Sequence, residues 1–228
     1  MTVPPEPPVL LVHGFTSSFE HGWRRTGWTD LLEDEGRQVI GVDLPGHGTS
    51  GRSADPAAYR KVEGTVAAAV AGHPAVDAVG FSAGADILLR LAARAGAEFR
   101  RLVLMGVGDG SLGEQDATAL AENVEKETPD LGDVTARLFH RMARAEGNDP
   151  AALAAFLRRP VEPLTEREVR EVTCPVLFLI GDRDPVGVPE RLAALLPAAQ
   201  VRVLSGTDHF STPTDPRAVE AALRFLAS

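Results

Sequence analysis

Short apolar runs recur along this chain, each followed by a glycine-containing turn and then a stretch with helical character. The runs cover residues 9–12, 38–42, 76–81, 102–107, 176–180 and 201–204. They are rich in Val, Leu and Ile and show no alternation of apolar with polar positions. Unbroken runs of this length fit parallel strands buried on both faces, although periodicity alone leaves short buried helix open. Helix-start signals follow most of the runs. Asp55-Pro56, Asp149-Pro150 and Asp215-Pro216 set a capping carboxylate before a proline at the first helical position. Thr165 with Glu168, and Ser111 with Glu114, have the spacing of a capping box. Alternating strand and helix predicts an α/β fold with a mostly parallel sheet of about six strands, right-handed crossovers and helices on both faces.

One interval breaks this rhythm. Nearly seventy residues without a strand signal separate Val107 from Val176. Their pattern predicts helices near 114–127, 133–146 and 150–157, and a structureless loop of that length is improbable in a compact domain. The expectation is a helical cap or lid over 108–170, set on a core made of 1–107 and 171–228.

Composition narrows the class. The 228 residues are 44% hydrophobic and 24% charged, enough apolar material for one large core. A net charge of −9 argues against a nucleic-acid or anionic-membrane partner, whose phosphates the overall field would repel. Cys174 is the only cysteine, which excludes an intrachain disulfide and a cysteine-rich zinc site. No apolar stretch approaches a transmembrane span and the opening residues lack a signal-peptide pattern, so a soluble, cytoplasmic protein is expected.

The chemistry concentrates at Gly80-Phe81-Ser82-Ala83-Gly84, directly after one apolar run and directly before a helical stretch near 86–95. In that context the pentapeptide reads as a nucleophile elbow, a strained turn that exposes a serine Oγ and needs small residues on either side. A serine hydroxyl needs a base, and the base an orienting acid. His209, in the loop after the last run, is the candidate base. Asp184, in Gly181-Asp182-Arg183-Asp184-Pro185, is the candidate acid, with Asp182 and Asp109 as rivals.

These motifs resemble the α/β-hydrolase fold superfamily of serine hydrolases over nearly the whole chain. The likeness is carried by His13-Gly14-Phe15, Asp43-Leu44-Pro45-Gly46-His47-Gly48, the elbow, the loop ending at Asp184 and the loop at His209. It is strongest with small capped esterases, perhydrolase-like enzymes and carbon–carbon hydrolases. The resemblance implies that the backbone N–H groups of Phe15 and Ala83 form an oxyanion hole. It also implies a small-molecule acyl substrate and no cofactor. The strand hairpin that often opens such chains is absent or vestigial here, which implies about six strands rather than eight.

Other residues have blander readings. His13 and His47 fit structural roles in loops, and His21, His73 and His140 read as loop or surface histidines. No histidine pair has metal-site spacing, so no catalytic metal is expected. Arg137, Arg141 and Arg144 share a helical face, by default solvated, with reception of an acidic substrate as the alternative. Phe139, Met142, Leu153 and Phe156 either line an acyl pocket or pack the cap on the sheet. Trp23 and Trp28 either wall the pocket or pack beneath it, and Cys174 reads as a buried small hydrophobe. The sequence thus predicts a carboxylic ester hydrolase working through Ser82, His209 and Asp184. Carbon–carbon hydrolysis, perhydrolysis or thioester hydrolysis on the same residues, and a triad-retaining ligand receptor, remain as alternatives. Acyl length, natural substrate and oligomeric state are not encoded in any motif.

Overall fold

The computed structural model describes residues 6–94, 99–129, 132–145 and 147–228. Ala95 and Glu146, the expected ends of two helices, and the first three residues of the proline-rich opening at 3–8 lie outside them. All six apolar runs are strands: β1 (Val9–Val12), β2 (Val39–Val42), β3 (Val76–Phe81), β4 (Phe99–Met105), β5 (Val176–Gly181) and β6 (Ala199–Leu204). They form one sheet in the order β2-β1-β3-β4-β5-β6. Every pairing is parallel. Strand β4 stops two residues before the apolar run does, because Gly106 turns the chain away with φ of 62°.

Successive strand residues feed two cores, one on each face. Leu10, Val12, Ala78, Leu102, Leu104 and Phe178 pack on one face, with α2 (Val62–Ala69), α3 (Ala83–Arg94) and α8 (Glu190–Leu195). Val9, Leu11, Val79, Val103 and Leu177 pack on the other, with α1 (Trp28–Asp34) and α9 (Pro216–Ala227). Both faces are covered, which is why the central strands read as unbroken apolar runs. At the amino edge of the sheet, fully buried Asp77 accepts hydrogen bonds from Arg37 and from Arg100 Nε at 2.8 Å. Among the described residues no helix is long and apolar enough to cross a membrane.

The interval between β4 and β5 holds α4 (Thr118–Glu125), α5 (Val134–Met142), α6 (Pro150–Leu157) and α7 (Glu166–Arg170). Three of the expected start signals are formed. Asp149 accepts from Ala151 N at 3.0 Å, Asp215 accepts from Arg217 N at 2.9 Å, and Thr165 with Glu168 makes the full capping box. Asp55 caps a single 3₁₀ turn, Pro56–Tyr59, rather than an α-helix. Ser111 caps nothing: it lies in a 3₁₀ turn, and its hydroxyl donates to Asp86 Oδ1 at 2.6 Å. Leu153, Ala154 and Phe156 of α6 join the same apolar cluster as Leu88 of α3, so these helices share the core of one sheet face.

The strand order fixes where chemistry can sit. From β1 the chain crosses to β2 on one side, then returns to β3 on the other. The connections leaving the carboxyl ends of the neighbours β1 and β3 therefore run to opposite faces, and the crevice between them is the usual ligand position in an open α/β sheet.

Candidate active site

Ser82 stands at that crevice, between the end of β3 and the start of α3. Its φ is +51°, a left-handed conformation that a side-chain-bearing residue adopts only when its surroundings enforce it. The surroundings are visible. Ser82 N donates to Met105 O at 2.8 Å, and Asp86 N donates to Ser82 O at 3.0 Å. A β-carbon at Gly80 would lie 2.8 Å from Ala85 Cα, and one at Gly84 would lie 2.3 Å from Val12 O. The two glycines of the pentapeptide are therefore contact requirements of the turn.

The loop after β6 carries His209 back to this serine across 127 residues of chain, with Nε2 3.0 Å from Ser82 Oγ. Its Nδ1 donates to Asp184 Oδ2 at 2.8 Å. That bond fixes the tautomer in which Nε2 is the acceptor facing the serine. Asp184, whose side chain is fully buried, is itself held by Val186 N, which donates to Oδ1 at 2.9 Å. The two rival carboxylates are occupied elsewhere. Asp182 accepts from Gly206 N at 2.7 Å and ties down the histidine loop. Asp109 accepts from Arg191 N and Leu192 N at 3.0 and 2.9 Å, at the start of α8.

Phe15, in the loop after β1, and Ala83, the first residue of α3, line a common cavity with Ser82. Among the described residues neither backbone N–H finds an acceptor. The loop bearing Phe15 is braced from several sides. His13 Nδ1 donates to Gly14 O at 2.8 Å and its Nε2 accepts from Leu44 N at 3.0 Å. Asp43 accepts from Phe19 N at 2.7 Å and from Thr49 N at 2.8 Å. Thr16 has φ of 66° and donates to Phe15 O at 2.6 Å, while Asn148 Nδ2, beyond α5, donates to Thr16 O at 2.8 Å. Burial lowers the pKa of His13 to about 4 and that of His47 to about 3, so both rings are neutral at ordinary pH.

Two cavities open from the serine, and Phe15, Ser82 and Phe139 line both. One, of about 430 Å³, runs past Ala83, Val107 and Leu120 to Phe156, Asp86 and Arg159. The other, of about 560 Å³, has His209, Phe210, Trp23 and Met142 in its wall. Of the aromatic and apolar candidates, Phe139, Met142, Phe156 and Trp23 reach a cavity wall. Leu153 is core, and Trp28 is buried with Nε1 donating to Pro213 O at 2.8 Å.

Two readings of the chain need correction. His140 is neither loop nor surface: it is buried on α5, with Nε2 2.8 Å from Lys126 O. Arg144 lies beyond the end of α5 and donates to Val124 O at 2.9 Å and His140 O at 3.2 Å, so it braces helices rather than a ligand. Arg141 is exposed at the wall of the larger cavity. Cys174 is half-buried, and burial pushes its thiol up to about 11. Sequence reasoning missed Asp86, Ser111 and Arg159 as cavity residues. Their meeting joins α3 to two distant points of the β4–β5 interval, and no local spacing signals it. Among the described residues no group of three or more His, Cys, Asp or Glu side chains could hold a metal ion.

A serine, a histidine and an aspartate in line at the carboxyl edge of a parallel sheet define the class to which this molecule compares. The sequence matches the alpha/beta hydrolase family over residues 9–222, and the chain belongs to that family of hydrolase enzymes. No curated protein matches it significantly. Solved structures give the same fold. A thermophilic esterase from Thermogutta terrifontis, determined with malate bound, is 21% identical with a TM-score of 0.71, over 97% of this chain and 89% of the other. The enol-lactonase of Burkholderia xenovorans LB400 is 17% identical at 0.74, over 98% and 92%. MenH from S. aureus is 18% identical at 0.71, over 99% and 94%.

Proposed function

We propose that the protein hydrolyses a carboxylic ester or related acyl compound through an acyl-enzyme on Ser82. The observation that carries this reading is the unbroken line Ser82 Oγ, His209 Nε2, His209 Nδ1, Asp184 Oδ2, with steps of 3.0 and 2.8 Å. His209 Nε2 takes the Ser82 proton as Oγ bonds to the substrate carbonyl carbon. The carbonyl π pair moves to oxygen, and the resulting oxyanion rests on the Phe15 and Ala83 N–H groups. Asp184 stabilises the imidazolium while it lasts. The imidazolium then protonates the leaving oxygen as the C–O bond breaks. Water enters, gives its proton to His209 and attacks the acyl carbon, and the acid departs as Ser82 is reprotonated.

The proton route also assigns the two cavities. The leaving oxygen must come within reach of His209, so the leaving group occupies the larger cavity, which has His209 in its wall. The acyl chain then lies in the smaller one, beside Ala83, whose wall does not include the imidazole. Helices α4 to α6 act as the cap that sets acyl selection, since Leu120, Phe139, Phe156 and Leu157 come from them. The test is turnover of a panel of aryl esters, acyl-CoA thioesters and β-diketones by wild type and Ser82→Ala. Ester hydrolysis lost in the variant is expected. Turnover confined to diketones, or none at all, would sink the ester assignment.

A further inference from the structure

We infer that the acyl group this site accepts carries a carboxylate at its far end, received by Arg159; the inference rests on the acyl-cavity assignment above. Arg159 lines the smaller cavity and lies just beyond α6. Its guanidinium carbon stands over the Phe156 ring, 3.9 Å from the ring centre, so the head group is seated against an aromatic face. Phe156 in turn stacks on Phe15, ring centres 6.2 Å apart and planes 13° from parallel. The cation is thereby coupled through two rings to the residue whose N–H faces the reacting carbonyl.

The hydrogen-bond inventory of Arg159 is incomplete. A guanidinium has five N–H donors. Nη1 donates to Phe156 O at 2.8 Å, and no other acceptor and no ion-pair partner serves the head group among the described residues. Asp86 lines the same cavity, but both of its carboxylate oxygens already accept hydrogen bonds from other groups. Oδ2 takes Arg90 Nε at 2.6 Å, and Oδ1 takes Ser111 Oγ at 2.6 Å. Asp86 and Glu63 act on Arg159 only through space. Glu114, at the same cavity's rim, is exposed to water. Burial lowers the Arg159 pKa only to about 10, so the group stays charged at neutral pH. A cation seated over an aromatic ring at the wall of a mostly apolar cavity, with donors to spare, suits a planar anion that accepts two parallel N–H bonds, and a carboxylate is that anion.

Calorimetric titration of the wild-type protein with adipamate, the monoamide anion of adipic acid, and with neutral adipamide tests the inference without any turnover. Adipamate is expected to bind at least about tenfold more tightly, with the difference abolished in Arg159→Gln and partly kept in Arg159→Lys. The kinetic counterpart uses 4-nitrophenyl half-esters of adipic, pimelic and suberic acids beside esters whose far carboxylate is replaced by the primary amide. At least one chain length should show a charged-to-amide ratio of kcat/KM of about ten or more, falling towards one in Arg159→Gln. Equal binding and equal kcat/KM for charged and amide forms in the wild type would overturn the inference, whatever the variants do. A ratio unmoved by Arg159→Gln, with the variant's melting temperature unchanged, would overturn it too. If adipamate binds through Arg159 but no ester is turned over, the hydrolase assignment fails and the anion site stands.

Discussion

Gly84 lies against the carboxyl end of β1, so closely that a β-carbon on it would stand 2.3 Å from Val12 O. This contact brings the first turn of α3 against the loop that follows β1. The proposed oxyanion site, built on the Ala83 and Phe15 N–H groups, depends on that approach. The atom facing the added carbon belongs to backbone in the centre of a sheet and cannot yield as a side chain would.

Gly84→Ala is therefore expected to cost about 3 kcal/mol in stability and to displace the proposed oxyanion site. Gly64→Ala, on α2 where the nearest atom to an added carbon is 4.0 Å away, should instead stabilise by about 0.5–1 kcal/mol. Urea denaturation of the two variants checks both signs.

On the proposed mechanism, loss of Ser82, His209 or Asp184 should be severe, because the three groups would act as a unit. Ser82→Ala, His209→Ala and Asp184→Asn are each expected to lower kcat by at least about 10³-fold on whichever ester is turned over. Asp182→Asn should be far milder, since that carboxylate only holds Gly206 N. A mild Asp184→Asn beside a severe Asp182→Asn would reverse the assignment of the acid.

Much of this was legible in the chain because it is written in local pattern. The central strands β1, β3 and β5 lie in buried apolar runs, while the edge strands β2 and β6 carry apolar runs that are largely half-buried or exposed, and Ser82, Asp184 and His209 each follow a strand in a small-residue or charged turn. The aspartate-proline pairs cap through their own neighbours. What the sequence hid depends on contacts between distant segments. Ser111 and Glu114 match a capping box by spacing, yet the Ser111 hydroxyl is drawn to Asp86, 25 residues away in sequence. The arginines of 137–144 share a helical face in the sequence pattern, while Arg159, just beyond the end of α6, lines the smaller cavity. Phe156 is its i−3 neighbour, but nothing in the residues around Arg159 records that Asp86 lines the same cavity.

Acid should weaken the fold through His13 and His47. Burial holds their folded pKa values at about 4 and about 3, below the unfolded value near 6.5. Below about pH 6.5 the unfolded chain binds the extra protons, so stability is intact above that pH and lost as pH falls. Each histidine contributes a loss of up to about 1.4 kcal/mol per pH unit, continuing until its folded pKa is reached. Asp43, whose pKa its hydrogen bonds to Thr49 and Phe19 hold below the usual carboxylate range despite burial, adds a loss of the same sign at lower pH. Chemical denaturation from pH 7.5 to 4.5 checks this, and a flat profile would contradict it.

Asp77 should be sensitive for a different reason. Its buried carboxylate sits between Arg37 and Arg100, and Asp77→Ala would leave the Arg37 guanidinium buried without its partner. A loss of about 3–5 kcal/mol is expected, read as a shift in denaturation midpoint. Arg100, more exposed, should matter less when it alone is replaced.

The most direct test of the account is intact-mass analysis after incubation with a fluorophosphonate, with Ser82→Ala alongside. Such a probe reacts only where a serine is activated, its oxyanion is stabilised and its cavity is open. The account predicts one adduct on the wild type and none on Ser82→Ala. An unlabelled wild type, or an adduct that persists in Ser82→Ala, would contradict it.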